Sequence, residues 1–238
     1  MAGSPLVIRY ADDMVALCHT RQQAEQIKAR LAEWLAPRGL VFNEDKTQIV
    51  HIGESGFDLL GFSVRRYDGT LLIKPSTAAI QRIRERLRTE IRTRRGSSTA
   101  AILAVLTPII RGWAAYYRGV VSSKTFKALD NYLWALTYKW ATRSHANKPK
   151  MWVATRYYGK YNKFRNDHWV FGDVASGAYL VKFSWTDIVR HTQRRCVSRR
   201  SRSDRVLGQA ATTTQTSTGW LHAAPAHQAG RELSPLRR

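Results

Sequence analysis

The sequence predicts an α+β fold, on three observations: strand and helix patterns mixed over the first 74 residues, uniform helical periodicity from Ser76 onward, and a break in charge near the same point. Residues 6–10 and 14–18 are short apolar runs separated by Ala11, Asp12 and Asp13, which makes them a hairpin with acidic residues at its turn. Thr20 and Gln23 form a capping box, after which Ala24, Ile27, Leu31 and Trp34 recur at helical spacing as far as Pro37 and Gly39. Residues 47–52 and 57–64 read as further strands. Asp68 and Gly69 make a tight turn before a last strand over 71–74.

Beyond Ser76, Ile80, Ile83, Leu87 and Ile91 lie along one helical stripe, and Arg82, Arg84, Arg86, Arg88, Arg92, Arg94 and Arg95 cover much of the rest. Residues 96–98 break this helix. A second begins near Thr99, and Pro108 either kinks it or opens a new helix capped by Thr107. Ile109, Ile110, Trp113, Tyr116 and Tyr117 fill one apolar face, which favours a core role for these rings over base stacking. A third helix is expected over 123–145, with Phe126, Leu129, Leu133, Leu136 and Trp140 as its stripe. Residues 152–185 mix aromatics with Gly159, Gly172 and Gly177 and suggest a small irregular or β-containing unit. After Gln193 the periodicity stops and 211–218 is low in complexity, so disorder is expected. The expected domains are 1–74, 75–148, 149–192 and a disordered tail over 193–238.

Lys and Arg number 39 against 17 Asp and Glu, a net charge of +22, and that charge is unevenly spread. Residues 1–74 are neutral, whereas 75–192 carry +15 and 193–238 carry +7. A neutral module joined to a basic one rich in Trp and Tyr points to a polyanion partner, nucleic acid above all. The seven arginines between Arg82 and Arg95 repel one another unless an anion arrives. The only two cysteines, Cys18 and Cys196, exclude a disulfide framework, and no paired Cys and His spacing suggests zinc. No run approaches the ~20 apolar residues of a membrane span, and no membrane partner is expected.

Tyr10, Ala11, Asp12 and Asp13 resemble the YADD signature of reverse transcriptases. Gly39, Leu40, Asn43, Lys46 and Thr47 resemble the next block of that family, and Leu59, Leu60, Gly61 and Phe62 the one after. Arg111, Gly112, Trp113, Tyr116, Tyr117 and Arg118 then resemble the maturase-specific region of group II intron proteins, continued by Trp134, Lys139, Trp140, Asn147 and Lys148. The resemblance implies the end of a polymerase palm and a helical thumb, with Mg²⁺ as the cofactor and group II intron RNA as the partner. It also implies a DNA primer or target and a bacterial-type cytoplasmic, nucleic-acid-associated setting. Asp12 and Asp13 would stand at the polymerase metal site, and Tyr10 beside the primer terminus; taken alone, the two carboxylates are also ordinary turn formers. Lys46 would neutralise phosphate or simply be exposed. Gly61, read as lying within a strand, would admit the primer backbone or form a plain bulge. Phosphate contact falls to Arg82, Arg84, Arg86, Arg88, Arg92, Arg111, Arg118, Lys139 and Lys148.

A complete enzyme of this type requires a further palm aspartate and fingers upstream of the signature. The expectation is therefore that this chain alone has no polymerase activity. Three functions follow as alternatives: intron-RNA binding that assists splicing, RNA-directed DNA polymerase activity when another polypeptide supplies the fingers and palm, and non-specific basic nucleic-acid binding. A reading-frame change after His191 would explain why no Cys-x-x-Cys pair follows, and neither His191 nor Cys196 is expected to be a ligand.

Overall fold

The computed structural model describes residues 4–189 and 220–228. The chain forms two compact units, one of residues 1–72 together with 193–238 and one of residues 73–192. In the first, β1 (Leu6–Tyr10) pairs antiparallel with β2 (Asp13–Cys18), from Leu6 opposite Leu17 to Tyr10 opposite Asp13. The helix α1 (Arg21–Leu35) starts where Thr20 Oγ1 accepts the Gln23 amide at 3.1 Å. Gln23 Oε1 in return accepts the His19 amide at 2.9 Å, so the expected capping box closes one residue early. Ala24 packs on Ala16 and Cys18, and Leu35 on Phe42. Trp34, expected in that stripe, is instead 50% exposed, with the Arg38 guanidinium 3.8 Å from its ring. The stripe steps from Leu31 to Leu35, four positions on, and Trp34 falls beside it.

Two short strands follow, β3 (Leu40–Phe42) and β4 (Gln48–His51). The span 57–64, expected as one strand, is two: β5 (Phe57–Leu59) and β6 (Phe62–Tyr67) pair antiparallel. Leu60 at φ +51° and Gly61 at φ +80° form the turn between them. Two successive positive φ values match the twist of a tight hairpin, which is why Gly61 ends a strand rather than lying within one. The Asp68–Gly69 turn repeats this conformation, at φ +45° and +78°, and leads into β7 (Thr70–Pro75).

In the second unit, α2 (Thr77–Thr93) is capped by Ser76, whose Oγ accepts the Ala79 amide at 3.2 Å. It buries Ala79, Ile83, Leu87 and Ile91; three of these are in the stripe read from the sequence, whose first member, Ile80, is half-buried beside Ala79. Helix α3 (Thr99–Tyr117) runs through Pro108 as one helix. Pro108 and Ala104, whose carbonyl it leaves without an amide, are both exposed, so water can satisfy that oxygen. By length and composition α3 would also suffice to cross a membrane, contrary to the expectation that no segment would. Ile102, Leu103, Leu106 and Ile110 bury its apolar side in the bundle.

Helix α4 (Ser123–Ser144) buries Phe126, Leu129, Leu133 and Trp140. The stretch 152–185, expected to be irregular or β-containing, opens inside a helix, α5 (Lys150–Tyr157). No side chain caps α5, and it lacks the boundary signal that marks α2 and α3. A two-stranded ribbon follows, β8 (Tyr158–Gly159) on β9 (Val170–Phe171). The chain then returns to α4, where the Asp130 carboxylate accepts the Phe183 amide at 2.7 Å and the Ser184 amide at 3.0 Å. Burial pushes the Asp130 carboxyl above its usual range, and these bonds oppose the shift.

Most of the tail expected to be disordered, with His191, Cys196 and the suggested frame change, lies outside the described residues. Of that tail only residues 220–228 are described: β10 (Trp220–Gln228) pairs antiparallel with β2 on one edge and with β4 and β3 on the other. An extended segment needs no periodicity of its own when open strand edges supply both ladders.

Candidate nucleic-acid interface

The hairpin of the first unit places Asp12 in its turn and Asp13 at the first rung of β2, opposite Tyr10. Ala11 takes φ +53°, which brings the chain round in two residues. Tyr10 and Asp12 are exposed, and Asp13 is half-buried. Among the described residues no group of three or more His, Cys, Asp or Glu could hold a metal ion. Mg²⁺ keeps several waters and takes one or two carboxylates together with substrate phosphates, so Asp12 and Asp13 are the side chains here that would offer it oxygen ligands. Lys46 is exposed, and its amide closes a turn onto the Asn43 carbonyl at 3.1 Å.

The second unit builds a groove between α2 and α4 with a volume of about 330 Å³. Arg88, Arg92 and Arg95 line it from α2 and the segment after it, while Lys139 and Arg143 face them from α4. Its remaining walls are Ile91, Tyr132, Leu136 and Trp140. Arg84 stands beside this wall, its guanidinium 4.5 Å from the Tyr132 ring centre. Trp140 is fixed by its indole N–H, which donates to the Arg94 carbonyl at 3.0 Å. Arg94 itself pairs with Glu90 and is half-buried, so its charge is committed within the fold. Five cations converging on one groove, with no acidic side chain in the lining, can neutralise phosphates.

Of the residues singled out in the sequence, the groove gathers Arg88, Arg92 and Lys139, with Arg84 at its margin. Arg82 and Arg86 are exposed on α2 outside that lining. Arg82 faces Tyr117, where burial and Tyr116 push the phenol up and the Arg82 guanidinium opposes them. Arg111 is exposed on α3 and Arg118 just after its end, and Lys148 lies 5.6 Å from the Trp152 ring centre. Tyr117 is buried, whereas Tyr116, expected in the core, is exposed. It stands beside the buried line from Ala114 to Tyr117 on the helix. Sequence reasoning missed Arg143, whose signal is its spacing four residues after Lys139 on one helical face. Arg95 and Trp140 also line a neighbouring cavity of about 430 Å³, with Arg156 and the first residues of α3.

A cation-lined helical groove in one unit and an acid-tipped hairpin in the other define a nucleic-acid-binding protein. The comparisons narrow this: residues 4–64 match the family model described as reverse transcriptase (RNA-dependent DNA polymerase), and residues 80–158 that described as group II intron, maturase-specific domain. No curated protein matches the chain. With the two matches in this order, the chain belongs to the group II intron reverse transcriptase/maturase family. Reverse transcriptases use Mg²⁺, and the maturase-specific domain implies binding of intron RNA.

Proposed function

We propose that the chain binds folded group II intron RNA through the α2/α4 groove and assists splicing by stabilising that fold, in a bacterial-type cytoplasmic setting. The convergence of Arg88, Arg92, Arg95, Lys139 and Arg143 on one groove is the observation that carries this reading. Stabilising folded RNA needs positive charge at phosphate spacing and a matched shape, not reacting groups. The test compares group II intron RNA with duplex DNA in filter binding at matched salt. The intron RNA should bind about tenfold or more tightly, and equal affinities would leave only a non-specific basic protein.

A second reading rests on β1. This edge strand exposes Leu6, Val7 and Ile8, with Leu6 at 59%, and carries only one charge, Arg9. An apolar edge of this kind accepts a partner strand. In this reading a further polypeptide completes the polymerase centre around Asp12 and Asp13, with Tyr10, Lys46 and Gly61 towards a DNA primer.

A further inference from the structure

Residues 134 and 169 form an aromatic corner that the groove does not use. Trp134 is 40% and Trp169 55% exposed, and their rings stand 6.1 Å apart at 82°. A planar ligand entering such a corner stacks on one wall and presents its edge to the other.

The corner is held in place from behind. Tyr138 stacks on Trp134 at 5.3 Å and 13°, and Tyr158 lies 6.4 Å from Trp134 and 6.0 Å from Trp169. Tyr158 is buried, with its hydroxyl 2.8 Å from Thr137 Oγ1. The Trp169 amide donates to Asp167 Oδ1 at 3.0 Å, and Lys182 holds the other Asp167 oxygen at 2.6 Å. Two large rings kept half in water by this much support are pre-organised for a ligand.

The neighbourhood says which ligand. Asn131 and Lys127, both exposed, precede Trp134 by three and seven residues and so share its side of α4. They add an amide for a base edge and an ammonium for a phosphate beside the rings, on a unit whose residues 75–192 carry +15. We propose that the Trp134–Trp169 corner receives an unpaired nucleobase of the bound RNA. This rests on the RNA-binding reading and adds a second contact, specific for single-stranded nucleotides, to the phosphate groove.

The test uses the full chain, a short oligoadenylate carrying 2-aminopurine, and an RNA duplex of matched length. Trp169→Ala should weaken oligoadenylate binding about tenfold or more and abolish the quenching of 2-aminopurine, leaving duplex affinity unchanged. Trp169→Phe should keep most of both signals. Because the corner could contribute to folding, the double variant Lys127→Ala/Asn131→Ala is measured as well and should also weaken oligoadenylate selectively. Unchanged oligoadenylate binding in these variants, the result expected if the corner docks a protein instead, overturns the proposal, as does equal loss for both RNAs. A wild-type chain that binds intron RNA but not oligoadenylate sinks the corner alone. Failure to bind any RNA sinks the underlying reading.

Discussion

Replacing Arg88, Arg92 and Lys139 together by alanine should lower affinity for group II intron RNA by on the order of 10²–10³-fold, about tenfold for each charge-assisted phosphate hydrogen bond removed. The same triple variant should flatten the dependence of log K on log salt by about 0.7–0.9 for each phosphate no longer neutralised. Fluorescence anisotropy across about 50–200 mM salt measures both quantities. All three side chains are exposed at the rim of the groove, so the bundle should melt as before. A control that removes three exposed cations elsewhere, Arg30, Lys160 and Lys163, separates the groove from bulk charge. Equal losses in the two triples would mean that net charge, not the groove, holds the RNA.

The second large effect is on stability. Phe183 is fully buried where the returning chain meets the bundle, 5.6 Å from Trp113 and 6.3 Å from Phe126 between ring centres. Its amide is held by Asp130, so the ring cannot leave without also breaking a bond to a half-buried carboxylate. Phe183→Ala should therefore cost about 3–5 kcal/mol, the usual range for emptying an aromatic site that cannot collapse. Denaturant titration of the full chain, followed by Trp fluorescence, reads this directly. A loss under about 1 kcal/mol would show that the segment after β9 contributes little to the core.

Asp167 supplies a pH-dependent counterpart. Burial alone would raise its carboxyl, but the Lys182 ammonium and the Trp169 amide outweigh that and hold it below the ordinary value of 3.8. A carboxylate depressed in the folded state contributes stability that is complete above its unfolded value and is lost as pH falls through the folded one. Asp167→Asn should thus destabilise the protein by about 1 kcal/mol near pH 6. The gap to wild type should close below pH 3.8, and a gap independent of pH would exclude the ion pair as its cause.

The fold was legible where one face of an element carries its pattern alone. The β1/β2 hairpin and the stripes of α2 and α4 were read with nearly their observed bounds, because alternation and 3.6-residue spacing report burial directly. Leu60–Gly61 was not legible as a turn: Leu seldom adopts positive φ, and the flanking apolar residues read as one continuous strand. The helix α5 was hidden by its lack of a side-chain cap and by aromatics that suit either state. The arginines of α2 were visible as a set, but which of them matter depends on where α4 packs. That packing selects Arg88 and Arg92, joined by Arg95 from the segment after α2, and leaves Arg82 and Arg86 outside. Trp169 belongs to no periodic segment, and only the return of the chain after α5 brings it to Trp134.

Helix α4 has one more property. Lys139 follows Trp134, and Arg143 follows Tyr138, by five residues, which is about 140° around the axis, so the groove and the corner open on opposite sides of a single rod. A transcript touching both must straddle a helix about 10 Å thick.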